Sequence, residues 1–222
     1  PGAYQEGTGL AFVLLFGIAD DAQASAVIAN ARRMRWGMPD TYPHWDRYSS
    51  GEPGRHNAIV WPLVQGLWAK ALAKHGEQEG FAIETTLLAE LVRESGGFWE
   101  IYNGDTGAVD GGYQARYDVL KHHWDSQPDQ TWSATAFIDM MHSGLFGMAV
   151  GERGLTFAPT LPAGWGGVTL SGLAYRDARL TVRLRGSGTT IQSFELDGRP
   201  APNRVPAVLQ GEHTIEIVLT AA

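Results

Sequence analysis

The chain has 222 residues, 44% of them hydrophobic and 18% charged, which is enough apolar material for one large domain or two modest ones. Its formal net charge of −7 comes without any block of Lys or Arg, which argues against nucleic acid or an anionic membrane surface as the partner. With no cysteine, a disulfide framework and a thiolate metal site are excluded, while the compartment stays open, cytoplasmic or exported.

Along the chain, the first apolar run is LAFVLLFGIA, residues 10–19. It is too short to span a bilayer, and Glu6 rather than a Lys or Arg precedes it, so it reads as a helix over about 8–18 and not as a signal segment. The chain begins with Pro1 instead of Met, which points to a processed product or a piece of something longer. Asp20 or Asp21 is placed to cap a second helix, with Ala24, Val27, Ile28, Ala31 and Met34 on one face. Residues 35–56 then break every periodicity with Gly, Pro and aromatics, the signature of a long functional loop.

A third helix starts near 57–61, because Pro62 is tolerated only in a first turn. Its core positions are Val60, Leu63, Val64, Leu67, Trp68 and Ala71. A fourth spans roughly 79–95, with Ile83, Leu87, Leu88 and Leu91 on one face, and stops at Gly96 and Gly97. A second long loop, 97–130, leads to a fifth helix over about 131–146. Helices paired in this way, with long loops between them, describe an array of α-hairpins.

Near residue 150 the hydrophobic period changes from 3.6 to 2. Leu180, Val182 and Leu184 alternate with Arg179, Thr181, Arg183 and Arg185, and Ile215, Ile217 and Leu219 repeat the same period of two. Asp197 and Gly198 spell a hairpin turn, a phase shift at Gly172 suggests a bulge, and GSGTT at 186–190 reads as a further hairpin turn, not a phosphate loop. The chain is thus expected to be α+β, with residues 1–150 helical and 151–222 a small antiparallel sandwich-like β domain.

Three stretches concentrate chemistry: HWDRYSSGEPGRHNAIVW at 44–61, FWEIYNGDTG at 98–107 and DQTWSAT at 129–135. Eight tryptophans and seven tyrosines suit core packing and equally the faces of sugar rings. Glutamate is rarely buried unpaired, so Glu100, set between Trp99 and Ile101, either points to water at a core edge or works in a cleft. In a hairpin array the loop-to-helix junctions collect at one end, so Arg55, His56, Glu100 and Trp132 are able to line one mouth. His122 and His123 are adjacent and so point apart, which disfavours a shared metal. No metal or cofactor is expected.

At these residues the chain resembles a family. RHNAIVWPLVQGLWAKA, FWEIYNGDTG and QTWSATAFIDMMHSGLFGM, in that order, are similar to the second half of an (α/α)6-barrel glycoside hydrolase. The likeness is to the six-hairpin glycosidases grouped with processing α-glucosidases, trehalases and mannosylglycerate hydrolases. GLTFAPTLPAGWGGVTLSGLAYRDARLTVRLRG resembles the β tail that follows many such barrels. The resemblance implies an incomplete barrel, an inverting mechanism and a carbohydrate substrate.

It makes Glu100 the general base, within an E-x-Y-N…T-G pattern that Tyr102, Asn103, Thr106 and Gly107 complete. It also implies that Trp45, Trp61 and Trp132 are sugar-stacking platforms, that Asn57 and Gln130 bind hydroxyls, and that Arg55, His56 or Tyr102 supports the base. The family's general acid, an aspartate upstream of the base, has no match here; Asp46 is the in-chain alternative, against the plainer expectation that it pairs with an arginine. A complete barrel has twelve helices where about five are read here, so a partner supplying the missing hairpins, or a second copy, is expected to cover the apolar face left open. A glycoside phosphorylase and a non-catalytic sugar-binding or scaffolding piece are the competing readings.

Overall fold

The computed structural model describes residues 3–116 and 119–220 and divides the chain into two compact units. One runs through His75 and resumes over Gly80–Met140; the other joins Gly76–Glu79 to the chain from Met141 onward. The fold is α+β, and its C-terminal unit is β-rich.

The first unit holds five helices: α1 (Gly7–Leu15), α2 (Asp21–Asn30), α3 (Pro62–Lys74), α4 (Gln78–Ser95, all but its first two residues) and α5 (Thr131–Asp139). Each start has a local cause. The Glu6 carboxylate accepts from the Thr8 and Gly9 amides at the head of α1. Asp20 and Gln23 form a reciprocal capping box on α2. Pro62 occupies the first turn of α3, where its missing N–H costs nothing. α3 packs against both α1 and α5, and Gly66 sets the second approach, since a Cβ there would lie 2.8 Å from the Ala136 side chain. Lys74 Nζ donates to the Leu15 carbonyl at 2.6 Å, neutralising the C-terminal end of α1.

Several expectations shift. Val60 is not helical: Ile59–Val60 is a short strand paired with Tyr102–Asn103. α2 ends at Asn30, so Met34 is buried from a separate turn. The buried stripe of α4 is Phe81, Glu84, Thr85, Leu88 and Leu91, one face round from Ile83 and Leu87. The 97–130 loop contains a hairpin, Tyr113–Arg116 with Val119–His123. Leu63 on α3, Trp132 and Ile138 on α5, and Phe12, Phe16 and Ile18 in and after α1 are exposed. Among the described residues no helix is long and apolar enough to cross a membrane.

In the second unit, a π-helical turn (Met140–Leu145, from Met141) leads into a three-stranded sheet, Arg204–Pro206, Gly154–Phe157 and Met148–Gly151 in spatial order. Five further strands lie in the order Arg199–Pro200, Thr190–Leu196, Gly211–Thr220, Ala178–Gly186, Val168–Tyr175. The Phe157 and Phe194 rings meet at 5.7 Å, linking the two sheets. Leu180, Val182, Leu184, Ile215, Ile217 and Leu219 all point inward, as the alternation requires.

The expected bulge lies at Gly172, where Ser171 and Gly172 oppose Thr181 alone. Asp197 and Gly198, both at positive φ, turn the hairpin from Thr190–Leu196 into Arg199–Pro200. Asp197 also accepts from His213 Nδ1 at 2.7 Å and from the Thr214 amide. The His213 bond holds the Asp197 carboxyl below its usual pKa and in turn raises that of His213.

One feature departs from an all-antiparallel arrangement. The last strand, Gly211–Thr220, runs parallel to Ala178–Gly186 in unbroken register from Ala178 opposite Gly211 to Gly186 opposite Leu219. The strand begun at Thr190 is set one place beyond, and the chain returns into the gap; GSGTT therefore joins strands that are not neighbours and is not a hairpin turn.

Candidate functional site

The three chemistry-bearing stretches converge within the helical unit. The strand pair Ile59–Val60 and Tyr102–Asn103 ties the first to the second. The third is fastened to the second by the Ser133 hydroxyl, which donates to the Trp99 carbonyl at 2.8 Å, and by the Gln130 amide, which donates to the Phe98 carbonyl at 2.9 Å. The Trp61 and Trp132 rings stand 6.4 Å apart across that junction. Asn103 anchors the turn that follows: its side-chain oxygen accepts from the Asp105 and Thr106 amides, and its amide group donates to the Ser50 carbonyl and to Asp110.

Glu100 is buried at this convergence. Arg55 Nη2 donates to its Oε1 at 2.7 Å, while Oε2 is buried with no hydrogen-bond partner among the described residues. A buried carboxylate oxygen without a partner is rare enough to require an explanation. Arg55 is itself tightly framed. Its Nη1 donates to the Gly111 carbonyl at 3.1 Å, its amide to the Tyr113 carbonyl, and its guanidinium faces the Trp61 and Trp124 rings at 5.5 and 5.8 Å. Trp61 Nε1 donates back to the Arg55 carbonyl.

The backbone here leaves no room. Gly112 sits at φ +69°, and a Cβ on it would lie 2.7 Å from the backbone of Arg55. Gly112→Ala is expected to displace Arg55 and to cost about 1–3 kcal/mol, read as a lowered melting temperature; an unchanged melt would show that the two loops are not held together at this point.

Arg55 also lines a cleft of about 670 Å³, together with Trp45, Arg47, Tyr48, His56, Asn57, Tyr113, Gln114, Ala115 and Lys121. His56 lies flat on Trp61, ring centroids 5.0 Å apart, and its Nδ1 is bonded to Asp40 at 2.9 Å. Arg47 stands 5.0 Å from the centroids of both Trp45 and Tyr48. Lys121 pairs with Glu52 and faces the Tyr113 ring. Trp45, Arg55 and His56 are therefore brought to one cleft. Trp61 lies beside it, stacked on His56, and Trp132 follows behind Trp61; Glu100, which reaches the cleft only through Arg55, is not among its lining residues, nor are Trp61, Trp132 and Gln130. Asp46 is exposed and likewise does not line it.

Two expected ligand contacts are better explained as structure. Asn57 is buried and fully engaged: Nδ2 donates to the Thr41 and Pro43 carbonyls and Oδ1 accepts from the Trp45 amide, so it buckles the loop and has no donor left for a sugar hydroxyl. The Tyr102 ring is wholly buried, and its hydroxyl is shared among the Gly97 carbonyl, the Trp99 amide and Ser95, closing the end of α4. His122 and His123 do point apart, one edge-on to Trp124, the other bonded to Asp110 at 3.0 Å.

The sequence reading passed over Glu84. It is fully buried, accepting from the Met38 amide at 3.1 Å and from Gln65 Nε2 at 3.0 Å. Burial pushes its carboxyl from 4.5 up to about 7. Its position, three after Phe81 and four before Leu88, placed it in the buried stripe of α4.

Residues 148–206 match the family model for glycosyl hydrolase family 65, C-terminal domain. The match lies wholly in the β-rich unit and covers about a quarter of the chain, so that unit is similar to the C-terminal domain of that family. No curated protein matches the chain.

Proposed function

We propose that the helical unit belongs to an incomplete (α/α)6 barrel of an inverting glycoside hydrolase, with Glu100 as general base. The observation that carries this reading is the state of its carboxylate: one oxygen is held at 2.7 Å by Arg55, and the other is buried without a partner among the described residues, where three motif stretches meet. An inverting glycosidase needs a carboxylate whose free oxygen receives a proton from water as that water attacks the anomeric carbon. A protonated acid about 6.5–9.5 Å away donates to the leaving oxygen from the opposite face. Arg55 is then a positioning residue for the base, and the aromatic and cationic cleft that it lines is the saccharide site. Similarity of the β unit to the family 65 C-terminal domain supports the carbohydrate-active class.

The acid is supplied by hairpins beyond those described, or by Asp46. Exposed Phe12, Phe16 and Ile18 on one flank of α3, with Trp132 and Ile138 on the other, support a partner or further chain packing there.

In the intact protein, Glu100→Gln is expected to slow hydrolysis by at least ~100-fold, with the first-formed anomer in the parent enzyme inverted by NMR. Near-normal turnover removes Glu100 as base, and a retained anomer removes the mechanism. A phosphorylase is the second reading, favoured by the basic side chains lining the cleft; turnover that requires phosphate would establish it instead.

A further inference from the structure

We infer that the cleft is built for an acidic saccharide, one whose pyranose ring carries a carboxylate, instead of a neutral sugar. The inference rests on the reading of this cleft as a saccharide site and names the class of sugar it takes. Among the described lining residues there is no Asp or Glu, whereas Arg47, Arg55, His56 and Lys121 all contribute. Three of these four have a carboxylate partner outside the lining: Glu100 for Arg55, Asp40 for His56 and Glu52 for Lys121. Arg47 is different. Its guanidinium is held 5.0 Å from both the Trp45 and Tyr48 rings, and among the described residues no carboxylate contacts it.

That arrangement fits one kind of ligand. A guanidinium presents a planar fork of donors matched to a carboxylate, and resting on aromatic faces pre-orients it without spending those donors. A sugar stacking by its C–H face on Trp45 or Tyr48 brings its ring substituents within reach of Arg47, so apolar face and charge are satisfied within a single sugar residue. A uronic acid has both features in one ring. A neutral sugar would bring Arg47 no counter-charge, and free phosphate would leave both rings unused. The Lys121–Glu52 pair is half-exposed on the Glu52 side, so Lys121 can exchange that partner for a ligand carboxylate at small cost.

The test is isothermal titration of the intact protein with three probes: a neutral disaccharide, the same disaccharide oxidised to a carboxylate at C6, and inorganic phosphate. The acidic disaccharide is expected to bind at least tenfold more tightly than the neutral one, the advantage shrinking as salt is raised. Arg47→Gln should remove most of that advantage, and Arg47→Lys should keep part of it as a bare point charge. Arg47 is exposed, so neither change threatens the fold. Equal binding of the two sugars, or an advantage that survives Arg47→Gln, overturns the acidic preference while leaving the saccharide site in place. Binding of phosphate alone, lost in Arg47→Gln, overturns it in favour of a phosphate site. Failure of all three probes, with turnover still dependent on Glu100, overturns the cleft as the saccharide site and leaves the base assignment standing.

Discussion

Arg55→Met is expected to destabilise the helical unit by about 3 kcal/mol, because it leaves the Glu100 charge buried without its counter-ion. The guanidinium is the sole partner of that carboxylate among the described residues, and both side chains are mostly withdrawn from solvent, 17% and 7% exposed. The same change also deletes the bond to the Gly111 carbonyl and the contacts with the Trp61 and Trp124 rings. Urea denaturation of the single and double variants separates these parts. Adding Glu100→Gln to Arg55→Met should recover most of the loss, since an amide needs no counter-charge, and a double variant no better than Arg55→Met would show that packing, not charge, holds the site. Turnover should fall in Arg55→Met even where the protein is fully folded, because the free oxygen of Glu100 loses its orientation.

The second large effect is a pH dependence seated in Glu84. Folding raises this carboxyl from 4.5 to about 7, chiefly by burial, so between those values the folded chain holds a proton that the unfolded chain releases. The stability linked to Glu84 is therefore complete below pH 4.5, falls as pH rises through about 7 and levels off above it. Glu84→Gln cannot ionise, and its side-chain oxygen can still accept from the Met38 amide and from Gln65. Relative to the parent, the variant should gain about 3 kcal/mol in passing from acid to mildly alkaline solution. Denaturation midpoints for both proteins across that range measure it, and a difference that stays flat with pH would show that another group titrates.

What could be read in advance followed the range of the forces involved. Helix starts were legible because caps act within three residues: Asp20 with Gln23, and Pro62 in a first turn. The turn at Asp197 and Gly198 and the bulge at Gly172 are local for the same reason. The strand Ile59–Val60 was not legible, since two residues carry no period and its partner lies about forty residues on. The parallel centre of the β-rich unit escaped because alternation tells which side chains turn inward, not which neighbour a strand chooses.

Of the site, the gathering of the three motif stretches was expected because loop-to-helix junctions collect at one end of a hairpin array, and the pairing of Arg55 with Glu100 is consistent with the support expected for that carboxylate. The loop-buckling amide of Asn57 and the packed hydroxyl of Tyr102 were not legible, because a side chain that serves a backbone and one that serves a ligand are spelled alike. Glu84 was missed because a carboxylate in a helix is ordinarily read as a solvent-facing residue.

The parallel strand Gly211–Thr220 bears on how the β-rich unit assembles during synthesis. It lies between Thr190–Leu196 and Ala178–Gly186, so until it emerges those two strands lack a common neighbour and each presents an open edge. The sheet cannot be zipped progressively from its N-terminal side: its keystone is the last of these five strands to be translated, and its pairing with Ala178–Gly186 joins residues 33 apart in the chain, Ala178 with Gly211 and Gly186 with Leu219. In the interval, Leu180, Val182 and Leu184 have an incomplete cover, and it is in that window that a nascent chain is most open to pairing with the wrong edge.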